Sequence, residues 1–348
     1  MSERMMRAAV LVSPGRIEVQ ERLIPNPKAG EVRIRIKSVG VCGSDVHYYY
    51  EGRIGSQIIQ YPTLLGHEPS GEIDALGEGV SGLSIGTRVA VEPANPCGHC
   101  EYCLSGRGNI CPKVKFLGTP PYEGIYAEYA VMPAHCCMPI PDSMTFREAA
   151  LLEPMAVGVH SVELASRRLG YTCAILGAGP IGLMTLLSAR LAGASRIYVI
   201  DLVRERLEFA KRLGADGVCD GGKENVIKWI ESLTNGRGVD VVYEAAGVQE
   251  TVSAACHIAC PGGEVVLIGI PSVDDLSMPM HICRRKELVI RHVRRSNGET
   301  LRCMELVSSD RVSISSFATH SFSLSQVTEA FELVHRYGDG VIRAMIEP

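Results

Sequence analysis

The sequence lacks an excess of positive charge. Its 348 residues include 35 Lys and Arg against 39 Asp and Glu, which leaves a formal net charge of −4. A protein that binds nucleic acid or an anionic membrane through its charge needs a basic field, and this composition supplies none. We therefore expect neither nucleic acid nor membrane among its partners.

Long hydrophobic runs and targeting signals are also missing. The most apolar stretch, Ile181 to Ala194, contains Arg190 and is too short to span a bilayer. Residues 1–12 show no cleavable signal pattern. With hydrophobic residues at 46%, these features predict a globular cytoplasmic protein, and at roughly 150 residues per domain its length suggests two domains.

Cysteine, by contrast, is plentiful. The 13 cysteines form an odd set in a chain without a secretion signal, so a disulfide scaffold is not expected and the thiols are available to metals. Cys97, Cys100, Cys103 and Cys111 have the spacing C-x2-C-x2-C-x7-C. Four thiolates satisfy a closed, tetrahedral structural zinc site, with an iron–sulfur cluster as the chemical alternative. His99 lies among them, but four thiolates already complete the ligand shell.

The pattern of predicted secondary structure changes near residue 154. Before it, short β-type runs alternate with frequent Gly and Pro turns, which predicts an irregular, mostly β domain. After it, strands alternate with helices, which predicts a parallel sheet covered on both faces, a doubly wound α/β fold. The predicted strands are Thr172–Leu176, Arg196–Ile200, Val239–Glu244 and Glu264–Ile268, and the predicted helices are Ile181–Ala192, Arg204–Leu213 and Glu250–Cys260.

A glycine motif lies between the first of these strands and the first helix. It reads Gly177-Ala178-Gly179-Pro180-Ile181-Gly182, the G-x-G-x-x-G pattern in the strand–turn–helix context that dinucleotide binding requires. The glycines permit the tight turn, the approach of a pyrophosphate and close helix packing, and the helix N-terminus attracts the phosphates.

Asp201, 19 residues after Gly182, favours NAD as the dinucleotide. Its carboxylate can accept hydrogen bonds from ribose hydroxyls and would repel the 2′-phosphate of NADP. Arg204 and Arg206 could in principle hold that phosphate, but arginines on a helix surface are more often solvated. Arg206 and Gly269 complete the set of candidate cofactor-binding residues.

Three further motifs contain potential ligands of a catalytic metal. They are Gly40–Asp45, Gly66–Glu68 and Leu152–Pro154, with candidate ligands Cys42, His67, Glu68 and Glu153. Zinc that performs chemistry uses about three protein ligands and keeps one position open. Taken singly, each candidate also has a structural interpretation: a buried cysteine, a core histidine or a salt-bridged carboxylate.

Together these motifs resemble the zinc-containing medium-chain dehydrogenases, and within that family the polyol (sorbitol or xylitol) dehydrogenases. The resemblance covers essentially the whole chain, with the motifs in their usual order and spacing. The segments that carry it are Val41-Cys42-Gly43-Ser44-Asp45-Val46-His47-Tyr48-Tyr49, Gly52-Arg53-Ile54-Gly55, Leu65-Gly66-His67-Glu68, Leu152-Glu153-Pro154 and Gly177–Gly182.

The resemblance implies a GroES-like, mostly β catalytic domain from residues 1–153 and 291–348, and a Rossmann NAD-binding domain from residues 154–290. It implies two zinc ions per chain, one of them bound by Cys42, His67 and a glutamate. Glu68 and Glu153 both match positions where the family places such a glutamate, so the direct ligand stays open between them. The family commonly forms homodimers or homotetramers.

By the same resemblance the protein oxidises a polyol to a ketone and transfers hydride to NAD. Ser44 and His47 match the family's proton relay, and Glu153 belongs to the catalytic set. The residues that carry over to the substrate pocket are Tyr48, Phe116, Thr119, Glu153 and Arg295.

The chain departs from animal sorbitol enzymes at Ser296, where they have tyrosine, and at Arg294, where they have phenylalanine. A smaller, more polar pocket floor would accept a cyclic or modified polyol as readily as sorbitol.

Two other functions remain as alternatives. Relatives with the same metal and cofactor oxidise 2,3-butanediol or L-threonine, although Tyr48 and the segment Gly52–Gly55 favour polyols. A zinc-stabilised structural or binding protein without catalysis is the alternative from another class. It predicts loss of an open-site ligand or of the glycine turn, and this sequence retains both.

Overall fold

The computed structural model describes residues 4–166 and 168–348. These residues form two compact units, one containing the chain up to Glu153 together with Thr300–Pro348, and the other Pro154–Glu299. Within the described residues, none of the helices combines the length and the apolar character that crossing a lipid bilayer requires.

Short strands dominate the first unit. Its strands are β1 Met5–Ser13, β2 Arg16–Leu23, β3 Glu31–Gly40, β4 Arg53–Ile54, β5 Gln57–Ile58, β6 Thr63–Leu64, β7 Glu68–Leu76, β8 Arg88–Val91, β9 Ala94–Asn95, β10 Lys115–Phe116, β11 Tyr129–Pro133, β12 Cys137–Pro139, β19 Ala318–Ser323 and β20 Arg343–Glu347. The helices that begin in it are α1 Gly43–Glu51, α2 Glu101–Leu104, α3 Phe146–Leu164, α9 Thr300–Ser308 and α10 Val327–Arg336.

The main sheet of this unit has seven strands, in the order β12-β8-β7-β3-β20-β19, with β11 also paired to β3. A second sheet joins β2, β1 and β6. Alternating side chains of β3 are buried, as expected for a strand with one face on a core. That core includes Val32, Ile34, Ile36 and Phe331. The mostly β character predicted for this region is confirmed.

The second unit alternates strands with helices. Its strands are β13 Thr172–Leu176, β14 Arg196–Asp201, β15 Gly217–Asp220, β16 Val239–Glu244, β17 Ala259–Leu267 and β18 Val289–His292. Its helices are α4 Pro180–Leu191, α5 Arg204–Arg212, α6 Val226–Leu233, α7 Gln249–Ile258 and α8 Met280–Lys286.

All the strand pairs in this unit are parallel, in the order β15-β14-β13-β16-β17-β18. This is the doubly wound order in which ligands bind where the winding reverses, here at the carboxyl ends of β13 and β16. The central strand β13 is apolar along its length, with Cys173–Leu176 almost fully buried, because helices cover both faces of such a sheet. The predicted doubly wound parallel sheet is confirmed.

The largest differences between the structure and the sequence prediction lie in two regions. The helix predicted as Glu250–Cys260 ends at Ile258, and the strand that follows begins at Ala259 rather than Glu264. The second unit also continues to Glu299, beyond the predicted boundary at 290. The reason is β18, which pairs with β17 and thereby extends the parallel sheet past residue 290.

Candidate metal and cofactor sites

Strand pairing assembles the first group of potential metal ligands. In the β3–β7 pair, Gly40 is directly opposite Glu68. Cys42 follows β3 as the N-cap of α1, and His67 directly precedes β7, so the register brings the two segments together. The ligand atoms of Cys42, His67 and Glu68 all lie within 4.8 Å of one another.

Asp45 connects the segments that carry two of these ligands. Its Oδ1 accepts a hydrogen bond from the Gly66 N–H (3.2 Å) and lies 3.3 Å from His67 Nδ1. Its Oδ2 accepts hydrogen bonds from the Cys42 N–H (3.3 Å) and the Tyr126 hydroxyl (2.8 Å). Since Asp45 engages Nδ1, the other imidazole nitrogen of His67 is the one available to a metal.

The charges of this group shift the pKa values of its members. Burial alone would raise the pKa of Asp45, but His67 and the hydrogen-bond donors outweigh it, so the pKa lies below its usual range. Burial alone would lower the pKa of His67, but Asp45 and Cys42 raise it well above its usual value. The arrangement thus stabilises an ionised carboxylate beside the imidazole.

Glu68 is fully buried and folds back over Gly40. A side-chain carbon at residue 40 would lie 2.0 Å from Glu68 Oε2, so only glycine leaves room for the carboxylate. Arg343 places Nη2 3.2 Å from Glu68 Oε1 and donates a hydrogen bond from Nη1 to the Val41 carbonyl (2.7 Å). Burial raises the pKa of Glu68, while Arg343 opposes that shift.

Glu153 is buried as well, with 7% of its surface exposed. Burial raises its pKa to about 8, Glu68 adds to the shift and His67 opposes it. Among the described residues, Glu153 does not belong to the group whose ligand atoms all lie within 4.8 Å of one another. Of the two predicted glutamates, Glu68 therefore lies with Cys42 and His67.

The donor set of this group fits a zinc ion that performs chemistry. It offers one thiolate, one imidazole and one carboxylate, three ligands that leave a fourth position for another molecule. Neither carboxylate oxygen of Glu68 makes a hydrogen bond of good geometry within the described part of the chain. A buried carboxylate of this kind is stabilised by a cation.

The four cysteines of the loop form a separate group. Sulfur–sulfur distances are 3.9 Å from Cys97 to Cys103, 3.5 Å from Cys100 to Cys103 and 3.8 Å from Cys100 to Cys111. Tetrahedral zinc at about 2.3 Å from each sulfur separates the sulfurs by about 3.8 Å. All four are free thiols, and their ligand atoms lie within 4.8 Å of one another. This group fits a closed zinc site.

The predicted proton relay lies on helix α1. Ser44 is in its first turn and His47 is one turn further on, both half-buried. His47 Nδ1 is 2.9 Å from Glu51 Oε1, an i,i+4 pair. This contact engages one of the two ring nitrogens of His47.

The candidate substrate residues fall in both units. In the first, Phe116 is buried with its ring centroid 5.5 Å from that of His67, and Tyr48 is buried on α1. The Thr119 N–H donates a hydrogen bond to the Phe116 carbonyl (3.2 Å). In the second, Arg295 has a left-handed backbone (φ 60°) that non-glycine residues rarely adopt.

The glycine motif lies in the turn between β13 and α4. Gly179 is the N-cap of α4, and Pro180 is the first helical residue. A side-chain carbon at Gly182 would lie 1.9 Å from the Gly177 carbonyl oxygen, so glycine is required for the close approach of α4 to the turn. Ile181 occupies the first turn of α4. The amides at this helix start offer donors of the kind that fit a phosphate group.

The other cofactor candidates surround this turn. Asp201 ends β14, and its carboxylate accepts hydrogen bonds from the Ala178 N–H (2.5 Å) and from two amides of the following turn (2.8 Å each). Arg206 is buried, with Nη1 3.9 Å from the side-chain position of Gly179. The Gly269 N–H donates to the Glu244 carbonyl at the end of β16 (3.0 Å).

Sequence reasoning assigned no role to Asp45, Tyr126 or Arg343. Asp45 carried a local signal, since it stands three residues after Cys42 at the start of a helix, where an acidic residue caps the backbone. The other two carried none, because they reach the site only through the tertiary fold.

Two family models match this chain, one mostly within the first unit and one mostly within the second. Residues 28–142 match the family model of the alcohol dehydrogenase GroES-like domain, and residues 180–309 match that of the zinc-binding dehydrogenases. Sorbitol dehydrogenase from Bacillus subtilis (strain 168) is 37% identical over 343 residues, which cover 99% of this chain and 97% of that protein.

Two solved structures are similar over 99% of both chains. One is an oxidoreductase/dehydrogenase of unknown specificity from Escherichia coli, with a TM-score of 0.93 and 36% identity. The other is an alcohol dehydrogenase from Escherichia coli CFT073 in complex with the cofactor NADH, with a TM-score of 0.91 and 29% identity.

Proposed function

The chain belongs to the zinc-containing medium-chain dehydrogenases, and from this membership we propose that it oxidises a secondary alcohol of a polyol to a ketone while hydride passes to NAD. The observation that carries the proposal is the group of half-buried Cys42 with buried His67 and Glu68, whose ligand atoms lie within 4.8 Å of one another. These three ligands leave a position for the substrate oxygen, while the four-cysteine loop holds a second, structural zinc.

Zinc at the three-ligand site supplies Lewis acidity, which lowers the pKa of a bound hydroxyl from about 16 towards neutrality. Asp45 orients the imidazole of His67, and Arg343 holds the carboxylate of Glu68. We assign the direct ligand to Glu68, because it lies with the other two ligand atoms. Glu153 is then assigned to the substrate pocket and not to the zinc ligands.

Ser44 and His47 carry the alcohol proton towards solvent. An imidazole suits this task because it titrates near neutral pH. The contact between Nδ1 of His47 and Glu51 orients the ring, and Nε2 is the nitrogen that we assign to the proton transfer.

Asp201 favours NAD over NADP, and the two arginines near it have contacts that do not favour binding of a 2′-phosphate. The Asp201 carboxylate lies at the end of β14 beside the glycine turn, where a 2′-phosphate would meet its negative charge. Arg204 is engaged with Glu208 (2.8 Å), which removes it from that task. Arg206 is buried against Gly179, where its charge suits the pyrophosphate.

The polyol assignment rests on the substrate residues and on the relative named as a sorbitol dehydrogenase. Tyr48, Phe116 and Thr119 in the first unit offer two hydroxyl groups and an aromatic ring, and Arg295 in the second unit offers a guanidinium group. Several hydroxyls of a polyol need such partners to replace water. Buried Ser296 supports a smaller, more polar pocket floor that admits cyclic as well as acyclic polyols.

We further propose that the protein acts in the cytoplasm as a homodimer or homotetramer, on a small molecule and not on nucleic acid or membranes. The net charge of −4 supports the last point. The position of β18 at the end of the parallel sheet supports self-association. Light scattering after size-exclusion chromatography measures the assembly.

The decisive experiment combines zinc content with a substrate panel. The purified protein should contain two zinc per chain and reduce NAD far faster than NADP with sorbitol, xylitol or a cyclic polyol, and chelation should abolish the activity. Preference for 2,3-butanediol or L-threonine would select the alternative substrates. One zinc per chain and no reduction of NAD by any alcohol would instead support a structural or binding protein.

A further inference from the structure

Tyr126 makes an unusual combination of contacts close to the three-ligand group. Its side chain is fully buried. The hydroxyl lies 2.8 Å from Asp45 Oδ2 and 3.0 Å from the Gly40 carbonyl oxygen. Tyr126 therefore contacts Gly40, which ends β3 two residues before Cys42. It also contacts Asp45, whose carboxylate lies against His67.

The ring of Tyr126 supports the second ligand segment. A side-chain carbon at Gly66 would lie 3.1 Å from three atoms of this ring, and Gly66 has a left-handed backbone (φ 97°). The Tyr126 N–H also donates to the Leu65 carbonyl (3.0 Å). The ring and backbone of Tyr126 thus set the path of the chain that leads into His67.

Phe331 packs against the ring of Tyr126. The two ring centroids are 5.7 Å apart in a T-shaped arrangement, and Phe331 is fully buried in the core of the first unit. Packing in this core therefore constrains the ring that carries the hydroxyl. A hydroxyl placed in advance can fix the carboxylate of Asp45 before any ion binds.

We propose that Tyr126 is a positioning residue for the open zinc site, acting through Asp45 on His67 and through Gly40 on Cys42. This inference rests on the zinc site proposed above. It assigns Tyr126 to the affinity and geometry of the bound ion, without contact with substrate or cofactor.

The test compares Tyr126→Phe with the wild type, because this change removes the hydroxyl and keeps the ring. We expect the open site to lose zinc affinity by at least about tenfold, as is typical when an outer partner of a metal ligand is removed. Competition with a chromogenic chelator measures that affinity. The four-cysteine site should keep its affinity, and the visible absorption of cobalt bound at the open site should shift.

Three controls separate positioning from general destabilisation. Tyr243→Phe removes another buried tyrosine hydroxyl, 3.4 Å from that of Tyr171 in the other unit, and should leave both zinc affinities unchanged. In an Asp45→Asn background, Tyr126→Phe should have much less effect, since residues that act as one unit are not additive. Phe331→Leu, which keeps the hydroxyl but loosens the ring, should weaken the open site less than Tyr126→Phe.

Zinc affinity and a cobalt spectrum equal to those of the wild type would overturn the proposal, as would equal weakening of both zinc sites. Full additivity with Asp45→Asn would overturn the route through Asp45. A wild-type protein that binds one zinc per chain would already remove the proposed open site, and with it the role of Tyr126. The wild-type measurement thus separates failure of the proposed function from failure of this inference.

Discussion

The two groups of metal ligands are assembled in opposite ways. The four cysteines lie in one loop from Cys97 to Cys111, whose regular structure is limited to the short helix α2 and a 3-10 turn at Gly108–Ile110. Cys42 and His67 come from separate segments that meet only because β3 pairs with β7 in one register. The first group depends on local spacing and the second depends on the fold.

The two groups of ligands also differ in the kind of protein atoms that support them. Around the open group, buried side chains contact the ligands or their segments: Asp45, Arg343 and Tyr126. Around the closed group, backbone N–H groups are the main support, as in the contact from the Cys97 N–H to Cys111 Sγ (3.5 Å). A closed tetrahedral site is held by its own ion, whereas three ligands with an open position need the protein to fix their geometry.

Cys42→Ser is expected to have the largest effect on catalysis. Without this thiolate the open site should lose its zinc, and several kcal/mol of Lewis-acid stabilisation corresponds to about a thousandfold or more in kcat/KM. Zinc content should fall to about one per chain, with a nearly unchanged thermal midpoint, since metal at the four-cysteine loop remains. Steady-state kinetics and metal analysis measure both. Retention of substantial activity without zinc at this site would contradict the comparison.

Cys103→Ser should show the reverse pattern. Zinc content again falls to about one per chain, but the expected loss is in stability, because a structural ion contributes folding energy directly. A loss of a few kcal/mol lowers the thermal midpoint by several degrees, at about 2–4 °C per kcal/mol. Activity at a temperature well below the transition should fall much less than in Cys42→Ser. Equal catalytic losses in the two variants would erase the distinction between the sites.

The same contrast explains how much of the site could be predicted from the sequence. The closed site was predictable as a set, since local spacing alone brings its four sulfurs together. For the open site, sequence reasoning left Glu68 and Glu153 as equal candidates. The choice depends on the pairing of Gly40 with Glu68 and on the space that this glycine leaves, neither of which is visible in a pattern of residue types.

For the fold as well, local patterns could be predicted from the sequence and nonlocal contacts could not. The parallel sheet was predicted because buried strands such as β13 are continuous apolar runs between helices. The boundary near 291 was less visible, because the alternation of strands and helices that the sequence pattern predicts fades after β18. Tyr126 and Arg343 gave no signal at all, since each contacts the site from far along the chain. Residues with nonlocal roles are therefore the ones that sequence patterns miss.

Gly40→Ala tests whether strand packing controls the open site. The added carbon would lie 2.0 Å from Glu68 Oε2, so the carboxylate must move. Such overpacking costs about 1–3 kcal/mol, and displacement of a ligand should weaken zinc binding about tenfold or more. Gly43→Ala is the matched control, because a side-chain carbon there meets no atom within 4 Å. Chelator competition should separate the two, and equal affinities would show that Glu68 does not bind the ion.

His99→Ala should have the smallest effect, although His99 stands between ligands of the closed site. Its imidazole is exposed, and Nδ1 lies 2.7 Å from the Cys97 carbonyl oxygen, a surface contact worth about 1 kcal/mol or less. The backbone N–H of His99 does more: its hydrogen bond is the largest factor that lowers the pKa of the Cys97 thiol, to about 6. Alanine keeps that N–H, so the thiolate stays stabilised and the four sulfurs still complete the ligand shell. Zinc content should remain two per chain and activity should be unchanged, and loss of one zinc would mean that the closed site uses an imidazole after all.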